Sequence, residues 1–177
     1  MSYSSPVLYR LYQPDDFAAL YAIEEASFTP PLRFSRRYMR ALVKSPNTAT
    51  WIAEDDAQLA AFAVVEWAAE PDGILAYIPT IEVAPLHRRR GIAAQLLQRI
   101  EDSAQSAGAI LIWLHVDARN TAAIALYESR AYLQQGSEED FYPHGHPALV
   151  YVKALVQPPP SAASTALSSP PSGGRFS

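Results

Sequence analysis

Apolar residues recur at helical spacing in four stretches of the chain. The first stretch opens at Pro14-Asp15-Asp16 and carries Phe17, Leu20, Tyr21 and Phe28; the second is capped by Ser35 and ended by Pro46. The third runs from Ile92 to a stop at Gly108, and a short fourth from about Asn120 to Ser129. Residues three and four positions apart share one helix face, and acids in a first turn suit the helix dipole. The pattern therefore predicts four helices.

Between these stretches the apolar pattern is typical of strands. The predicted strands are Thr50–Ala53, Ala60–Trp67, Ile74–Val83, Ile110–Val116, Tyr132–Gly136 and Ala148–Leu155. The first two are joined around Asp55-Asp56 as a hairpin, and Ile110–Val116 is a continuous apolar run typical of a buried central strand. The predicted order of elements is that of a mixed α/β (α+β) domain.

The composition changes sharply after Val156. The chain has 177 residues, and residues 157–177 are rich in Pro, Ser and Ala, with Arg175 as the only charged residue. Such a segment buries too little apolar surface to offset the entropy lost on ordering. We expect one folded domain at residues 6–156, followed by a disordered tail.

Charge and cysteine content exclude several classes of protein. The net charge is −4 and there is no cysteine, which excludes disulfide frameworks, Fe–S clusters and cysteine nucleophiles. A mildly acidic chain has no general attraction for nucleic acids or anionic membranes. The first residues lack the basic and apolar parts of a signal peptide, and no apolar run is long enough to span a membrane. We expect a soluble, cytoplasmic protein.

One local basic segment stands out against this background. Arg88, Arg89 and Arg90 follow a strand, and Gly91-Ile92-Ala93-Ala94 opens the third helix. Free N–H groups at a helix start bind anions, and small residues allow an anion to approach the backbone closely. The spacing matches neither a nucleotide triphosphatase loop nor a dinucleotide fingerprint. Alternatively, the arginines form a solvated run or contact nucleic acid.

Two motifs show a family resemblance. The segment from Arg88 to Ala93, R-x-x-G-x-A after a strand ending in I-E-V-A-P, resembles the acyl-CoA pyrophosphate loop of the GNAT acetyltransferases. A second segment, from Trp113 to Glu128, resembles the L-x-V-x-x-x-N-x-x-A-I-x-L-Y-E block of the same superfamily. With Phe141-Tyr142-Pro143, this block is most similar to bacterial ribosomal-protein-alanine N-acetyltransferases and related N-terminal acetyltransferases. The resemblance implies the GNAT fold, a mostly antiparallel sheet whose central strand pair splays apart.

The resemblance also implies a binding site for acetyl-CoA. In the family, backbone groups of the splayed strand bind pantetheine, the loop binds pyrophosphate, and an asparagine at the next helix contacts the cofactor. The implied binding residues are Ile81, Val83, Arg88, Arg89, Arg90, Gly91, Ile92, Ala93, Ala94 and Asn120. Asn120 also suits an ordinary helix cap, and both roles are compatible.

Catalytic roles follow from the same resemblance. Tyr127 matches the family's general acid, which protonates the departing thiolate, and a phenol with a pKa near 10 stays protonated at neutral pH. His115 stands where relatives carry a glutamate or histidine as general base, although a lone histidine in an apolar strand is also a common core residue. Tyr77, on the face shared by Ile81 and Val83, is an alternative for this task. Glu82 points to the opposite face and is expected to be structural.

The acceptor side matches the family less well. Phe28 and Pro30 stand in the loop that carries an aromatic or apolar patch in relatives. Tyr142, in the loop between the last two strands, is expected to face the acceptor from the other side. The glycine that usually follows the tyrosine helix is Ala131 here, so a left-handed residue at that turn would be strained. His144 and His146 lack a third ligand, and no metal is predicted.

The leading hypothesis is an N-acetyltransferase that moves the acetyl group of acetyl-CoA directly to an amine. The expected acceptor is a protein or peptide N-terminal α-amine, with a small amine as the alternative. A second hypothesis is a GNAT-fold module that binds acyl-CoA without catalysis, and a third is a nucleic-acid binder. We expect a monomer or weak homodimer, with no nucleic-acid or membrane partner.

Overall fold

The structure, a computed structural model, describes residues 6–155. Seven strands are present: β1 (Leu8–Leu11), β2 (Thr48–Asp55), β3 (Gln58–Glu70), β4 (Gly73–Val83), β5 (Ala109–Asp117), β6 (Leu133–Tyr142) and β7 (His146–Ala154). Four α-helices accompany them: α1 (Phe17–Ser27), α2 (Arg36–Lys44), α3 (Ile92–Ser106) and α4 (Thr121–Ser129). Short 3-10 turns lie at Pro14–Asp16, Pro85–His87 and Pro143–Gly145. The tail expected at residues 157–177 is outside the described part of the chain.

The seven strands form one sheet in the order β1-β2-β3-β4-β5-β7-β6. Every neighbouring pair is antiparallel except β4 and β5, which are parallel. The connection between these two strands contains α3, as a parallel crossover requires. The predicted mixed, mostly antiparallel fold is confirmed.

The helices cover both faces of this sheet. Strand β3 shows why both faces are apolar, because its successive residues Ala61 to Val65 are all buried and alternate between the two sides. On one side Ala61, Ala63 and Val65 pack with α3 and Tyr127 of α4. On the other side Phe62 and Val64 pack with α1 and α2. The sheet is therefore packed between two hydrophobic layers, one on each face.

The predicted helices and strands are present, although most strand bounds differ by a few residues. Strand β1 was not predicted, α1 ends at Ser27 before Phe28, and β6 continues six residues beyond Gly136. Tyr142 is the last residue of β6, so the prediction that it lies in the loop between the last strands is wrong. None of the helices in residues 6–155 is long and apolar enough to cross a membrane.

Candidate active site

Strands β4 and β5 pair along only part of their length. Their last paired residues are Tyr77 and Trp113, although β4 continues to Val83 and β5 to Asp117. Beyond Tyr77 the two strands separate, which is the splay that the resemblance implied. The edge of β4 that faces β5 is therefore unpaired over the last six residues of the strand and is available to a ligand.

The free backbone groups of β4 follow from its register with β3. Ala84 N–H donates to Ala60 O across the Ala61 and Val83 pair, so this pair is of the non-hydrogen-bonded kind. Val83 and Ile81, which are two positions apart, then direct their N–H and C=O groups away from β3. These groups face the gap beside β5, where the sequence predicted a pantetheine site.

A cavity of about 450 Å³ opens at this gap. Six predicted site residues line it: Phe28, Ile81, His115, Asn120, Tyr127 and Tyr142. The cavity does not include Val83, Pro30, Tyr77 or the segment from Arg88 to Ala94. The lining also contains residues that sequence reasoning missed, among them Phe34, Ile78, Thr80, Asp117 and Arg119. The predicted site thus divides into a central cavity and a neighbouring basic loop.

The basic loop ends at Gly91, which is the N-cap of α3 and has a left-handed backbone with φ of +76°. The first helical hydrogen bond runs from Gln95 N–H to Gly91 O, so the preceding amides have no partner within the helix. A Cβ atom built on Gly91 would meet nothing within 4 Å. The loop therefore combines free donors with open space, which are the two properties a diphosphate site needs.

The three arginines of this loop have different surroundings. Arg90 pairs with the carboxylate of Asp55, and Arg88 Nε donates to Val83 O at 3.0 Å. Arg89 is exposed and has a left-handed φ of +61°. Two of the three guanidinium groups thus hold the loop to β2 and β4, and no motif in the sequence indicates these partners.

Tyr127 lies in α4 with its side chain largely buried at the cavity wall, and 8% of the residue is exposed. Burial raises its pKa to about 12. Its ring packs against Tyr132, with ring centroids 5.6 Å apart. Tyr127 is therefore protonated at neutral pH and held in one orientation.

His115 of β5 and Tyr77 of β4 contact each other directly. The Tyr77 hydroxyl lies 3.1 Å from His115 Nδ1. Burial lowers the pKa of His115, while Glu138 opposes this shift. Burial also raises the pKa of Tyr77. The pair is therefore neutral near pH 7, and the two residues that the sequence offered as alternatives form one unit.

Asn120 begins α4 at the rim of the cavity. Its Oδ1 accepts a hydrogen bond from Ala123 N–H at 3.1 Å, which is the predicted helix cap. The neighbouring Asp117 and Arg119 form an ion pair at 2.7 Å. Arg119 thereby adds a cation to the rim that the sequence motif did not single out.

The part of the cavity where the sequence predicted acceptor contacts is formed by two segments that are distant in the chain. Phe28, Leu32 and Phe34 come from the loop between α1 and α2, and Tyr142 comes from the end of β6. Pro30 lies in the same loop, outside the cavity and exposed. The side of the cavity away from the basic loop is thus mostly aromatic and apolar, which suits an uncharged side chain of an acceptor.

Two further residues noted in the sequence lie outside the cavity. Ala131, which stands in place of the glycine usual in the family, has a left-handed backbone with φ of +66°. Glu82 is buried on the opposite face of β4 from Ile81, as expected of a structural acid. In residues 6–155 no group of three or more histidine or acidic side chains could hold a metal ion.

The fold and the site define a protein with a splayed parallel strand pair beside a helix start that has free amide donors. A family model described as "Acetyltransferase (GNAT) family" matches residues 9–132. The chain belongs to this family.

Individual relatives show similarity over shorter stretches. The [Ribosomal protein bS18]-alanine N-acetyltransferase of Salmonella typhimurium is 36% identical over 93 residues, which are 51% of this chain and 60% of that protein. Streptothricin acetyltransferase of Streptomyces lavendulae is 36% identical over 87 residues, 49% of this chain and 45% of that protein. The matched stretch thus covers less than two thirds of either relative.

The fold is similar over a larger part of the chain. The crystal structure of the ribosomal-protein-S18-alanine N-acetyltransferase from Escherichia coli superposes with a TM-score of 0.76 at 23% sequence identity. This similarity covers 89% of this chain and 99% of that structure.

Proposed function

We propose that the chain is an acetyl-CoA-dependent N-acetyltransferase whose acceptor is a protein or peptide N-terminal α-amine. The observation that carries this proposal is the cavity at the β4 and β5 gap, on which Tyr127, His115 and Asn120 converge. The Salmonella relative is named for acetylation of an alanine in a ribosomal protein. Membership of the GNAT family supports the reaction class.

Acetyl-CoA fits the residues along this edge of the sheet. The free amides at the start of α3 and the open space at Gly91 suit the diphosphate, and the outward N–H and C=O groups of Ile81 suit the amide-rich pantetheine arm. The Val83 N–H faces the same gap, whereas its carbonyl already accepts from Arg88. When bound, acetyl-CoA supplies an acetyl thioester that an uncharged amine can attack directly.

The protein's part in this transfer is to position groups and move protons. An α-amine has a pKa near 7.7–8.0, so removal of its proton by the His115 and Tyr77 unit requires only a modest driving force. The outward N–H of Val83 would stabilise negative charge that develops on the carbonyl oxygen. Tyr127, protonated at neutral pH, would donate its proton to the departing thiolate.

The acceptor preference is supported by the aromatic side of the cavity. Phe28, Leu32 and Tyr142 offer an apolar surface for the first side chain of a peptide. Replacement of Phe28 by alanine should raise KM for a peptide severalfold while leaving affinity for coenzyme A unchanged.

A small amine is the second candidate acceptor. The similarity to streptothricin acetyltransferase favours it, because that relative is named for a small molecule. A small acceptor would need fewer contacts outside the cavity than a peptide, so the two candidates differ in how activity depends on acceptor length.

Release of free thiol from acetyl-CoA tests these proposals directly. The purified chain is incubated with peptides that differ in their first two residues, with the same peptides blocked at the N-terminus, and with small amines. Turnover with free but not blocked peptides supports the main proposal, and turnover with small amines alone supports the second candidate. Coenzyme A binding without turnover on any acceptor would support the non-catalytic module.

A further inference from the structure

Glu138 of β6 lies beside His115, and the function proposed above does not use it. His115 Nε2 is 3.3 Å from Glu138 Oε1, without the alignment of a hydrogen bond. On the other side of the ring, Nδ1 is 3.1 Å from the Tyr77 hydroxyl. Strands β6, β5 and β4 thus each contribute one polar side chain to a row of Glu138, His115 and Tyr77.

The imidazole ring in this row has a fixed orientation. It stacks on Phe141 with centroids 4.2 Å apart and an interplanar angle of 20°, and the Trp113 ring meets it edge-on at 5.2 Å. Phe141 reaches it because β6 is irregular between Glu138 and Tyr142, where three residues oppose a single residue of β7. Because the ring is enclosed in this way, each of its nitrogens keeps one neighbour.

The chemistry of these neighbours determines which nitrogen carries the proton. An ionised glutamate can only accept a hydrogen bond, whereas a neutral imidazole has one donor and one acceptor nitrogen. The carboxylate beside Nε2 therefore favours the proton on Nε2. Nδ1 is then the acceptor, and the Tyr77 hydroxyl is the donor that faces it.

We propose that Glu138 is a positioning residue that holds His115 in the Nε2–H form, so that Nδ1, which faces the Tyr77 hydroxyl, is the nitrogen that accepts the proton. This inference rests on the proposed acetyltransferase function. Because Tyr77 does not line the cavity, one proton of the acceptor ammonium passes through a water molecule to the Tyr77 oxygen, while the Tyr77 proton moves to His115 Nδ1. The amine becomes neutral, the Tyr77 hydroxyl is restored, and the proton remains on an imidazolium beside the Glu138 carboxylate.

Other titratable groups also act on this row. Tyr142 at the end of β6, Tyr38 of α2 and Glu66 of β3 act on Tyr77, together with Glu138. For His115, Glu138 is the charge that offsets the effect of burial on the pKa. Removal of the Glu138 charge should therefore lower the pKa of His115 further and weaken the preference for the Nε2–H form.

Nuclear magnetic resonance of the purified full chain tests this without any acceptor. Long-range proton–nitrogen correlation reports the tautomer of His115, and a pH titration reports its pKa. We compare the wild type with E138Q, which removes the charge and keeps the shape. The control is E139Q, which makes the same charge change at the adjacent, exposed residue.

The proposal requires the Nε2–H tautomer in the wild type and in E139Q, and a lower His115 pKa in E138Q alone. An Nδ1–H tautomer in the wild type, or equal His115 pKa values in E138Q and E139Q, would overturn it. These readouts do not depend on turnover, so they remain informative if the acetyltransferase proposal fails.

Kinetics then separate positioning from a merely structural effect. In E138Q, kcat/KM should fall about tenfold. This is less than the roughly 10²–10⁴-fold that general acid–base catalysis contributes, because His115 itself is retained. The acidic limb of its pH profile should move to lower pH with the His115 pKa, and E138D should recover part of the rate. A uniform loss of activity with an unmoved acidic limb would contradict the positioning role.

Discussion

The carboxyl groups of Glu24 in α1 and Glu82 in β4 lie near each other in the core, and one oxygen of each, Oε2, has no hydrogen-bond partner within residues 6–155. Their residues are 0% and 3% exposed. Glu24 Oε1 accepts from Phe34 N–H at 2.7 Å, and Glu82 Oε1 accepts from the Thr80 hydroxyl at 2.8 Å. Two neighbouring buried carboxyls cannot both ionise without a cost in desolvation and charge repulsion, so a proton on one of them is favoured. The two acids lie between the loop that contains Phe34 and the strand that carries the proposed pantetheine site.

This pair predicts a dependence of stability on pH. Burial, and then the adjacent Glu24 carboxyl, raise the pKa of Glu82 well above its usual range, so the folded state binds a proton that the unfolded state releases above about pH 4.3. The contribution of this proton to stability is complete below that pH. It is lost as the pH rises towards the pKa of Glu82 in the folded state. The free energy of unfolding should fall with pH by up to about 1.4 kcal/mol per pH unit from this group.

Replacement of Glu82 by glutamine tests the assignment. Urea unfolding between about pH 5 and pH 8 should show that E82Q loses less stability than the wild type as pH rises, because the amide does not ionise. E25Q, which makes the same change at an exposed residue of α1 next to Glu24, serves as the control. Parallel pH curves for wild type and E82Q would mean that Glu82 is charged in the folded protein.

Tyr127→Phe should lower kcat about a hundredfold, since general acid catalysis contributes roughly 10²–10⁴-fold. Affinity for coenzyme A should stay the same, because the ring and its packing against Tyr132 are retained. With a pKa of about 12, Tyr127 should cause no loss of activity up to about pH 10. Steady-state kinetics and calorimetry check both parts.

Tyr9→Phe provides the matched control for this substitution. It removes a hydroxyl from a partly buried tyrosine of β1, away from the cavity, and should leave kcat unchanged. If Y127F and Y9F have equal turnover, Tyr127 is not the acid.

The parts of the fold that the sequence predicts are those with a strong periodic pattern. Helix α3 is predicted because Leu96, Leu97 and Ile100 form one buried face. Strand β1 gives no such signal, since Leu8 and Leu11 at its ends are 57% and 54% exposed, and it lies at the edge of the sheet beside β2. At the other edge of the sheet, β6 extends through polar residues because pairing with β7, and not burial, defines it.

In the candidate site, too, the sequence indicates residues whose role depends on their own segment of the chain, but not contacts between segments that are distant in sequence. Gly91 and Asn120 act through their own segments of chain, as an N-cap with left-handed backbone and as a side-chain cap, so their motifs are visible in the sequence. The contacts of Arg90 with Asp55 and of His115 with Glu138 join residues that are distant in sequence. Such pairings depend on strand register and on an irregular turn, which hydrophobic periodicity does not encode.

Ala131→Gly should stabilise the protein. Ala131 N–H donates to Glu128 O and Tyr132 N–H to Tyr127 O, which together close α4 with Ala131 in the left-handed conformation. This conformation costs a non-glycine residue roughly 1–2 kcal/mol, a cost that glycine avoids. Glycine loses more backbone entropy on folding than alanine, and this loss offsets part of the gain. We expect a gain of about 1 kcal/mol, seen as a rise in Tm of roughly 2–4 °C.

Ala125→Gly is the control for this prediction. Ala125 is exposed within the same helix, where glycine should destabilise by about 1 kcal/mol. If both glycine variants lower Tm, the left-handed strain at Ala131 is relieved elsewhere in the fold.

Gly91→Ala should reduce affinity for coenzyme A by at least tenfold. The residue has φ of +76° at the start of α3, and its added methyl group would occupy the space through which a phosphate reaches the free amides. Gly108→Ala is the matched control, because Gly108 also has a positive φ, of +90°, but follows the far end of the same helix. Both variants should lose about 1–2 kcal/mol of stability from the strained backbone. Calorimetry with coenzyme A, alongside urea unfolding, then separates the two effects: affinity should fall in G91A alone, and equal affinities in the two variants would place the diphosphate elsewhere.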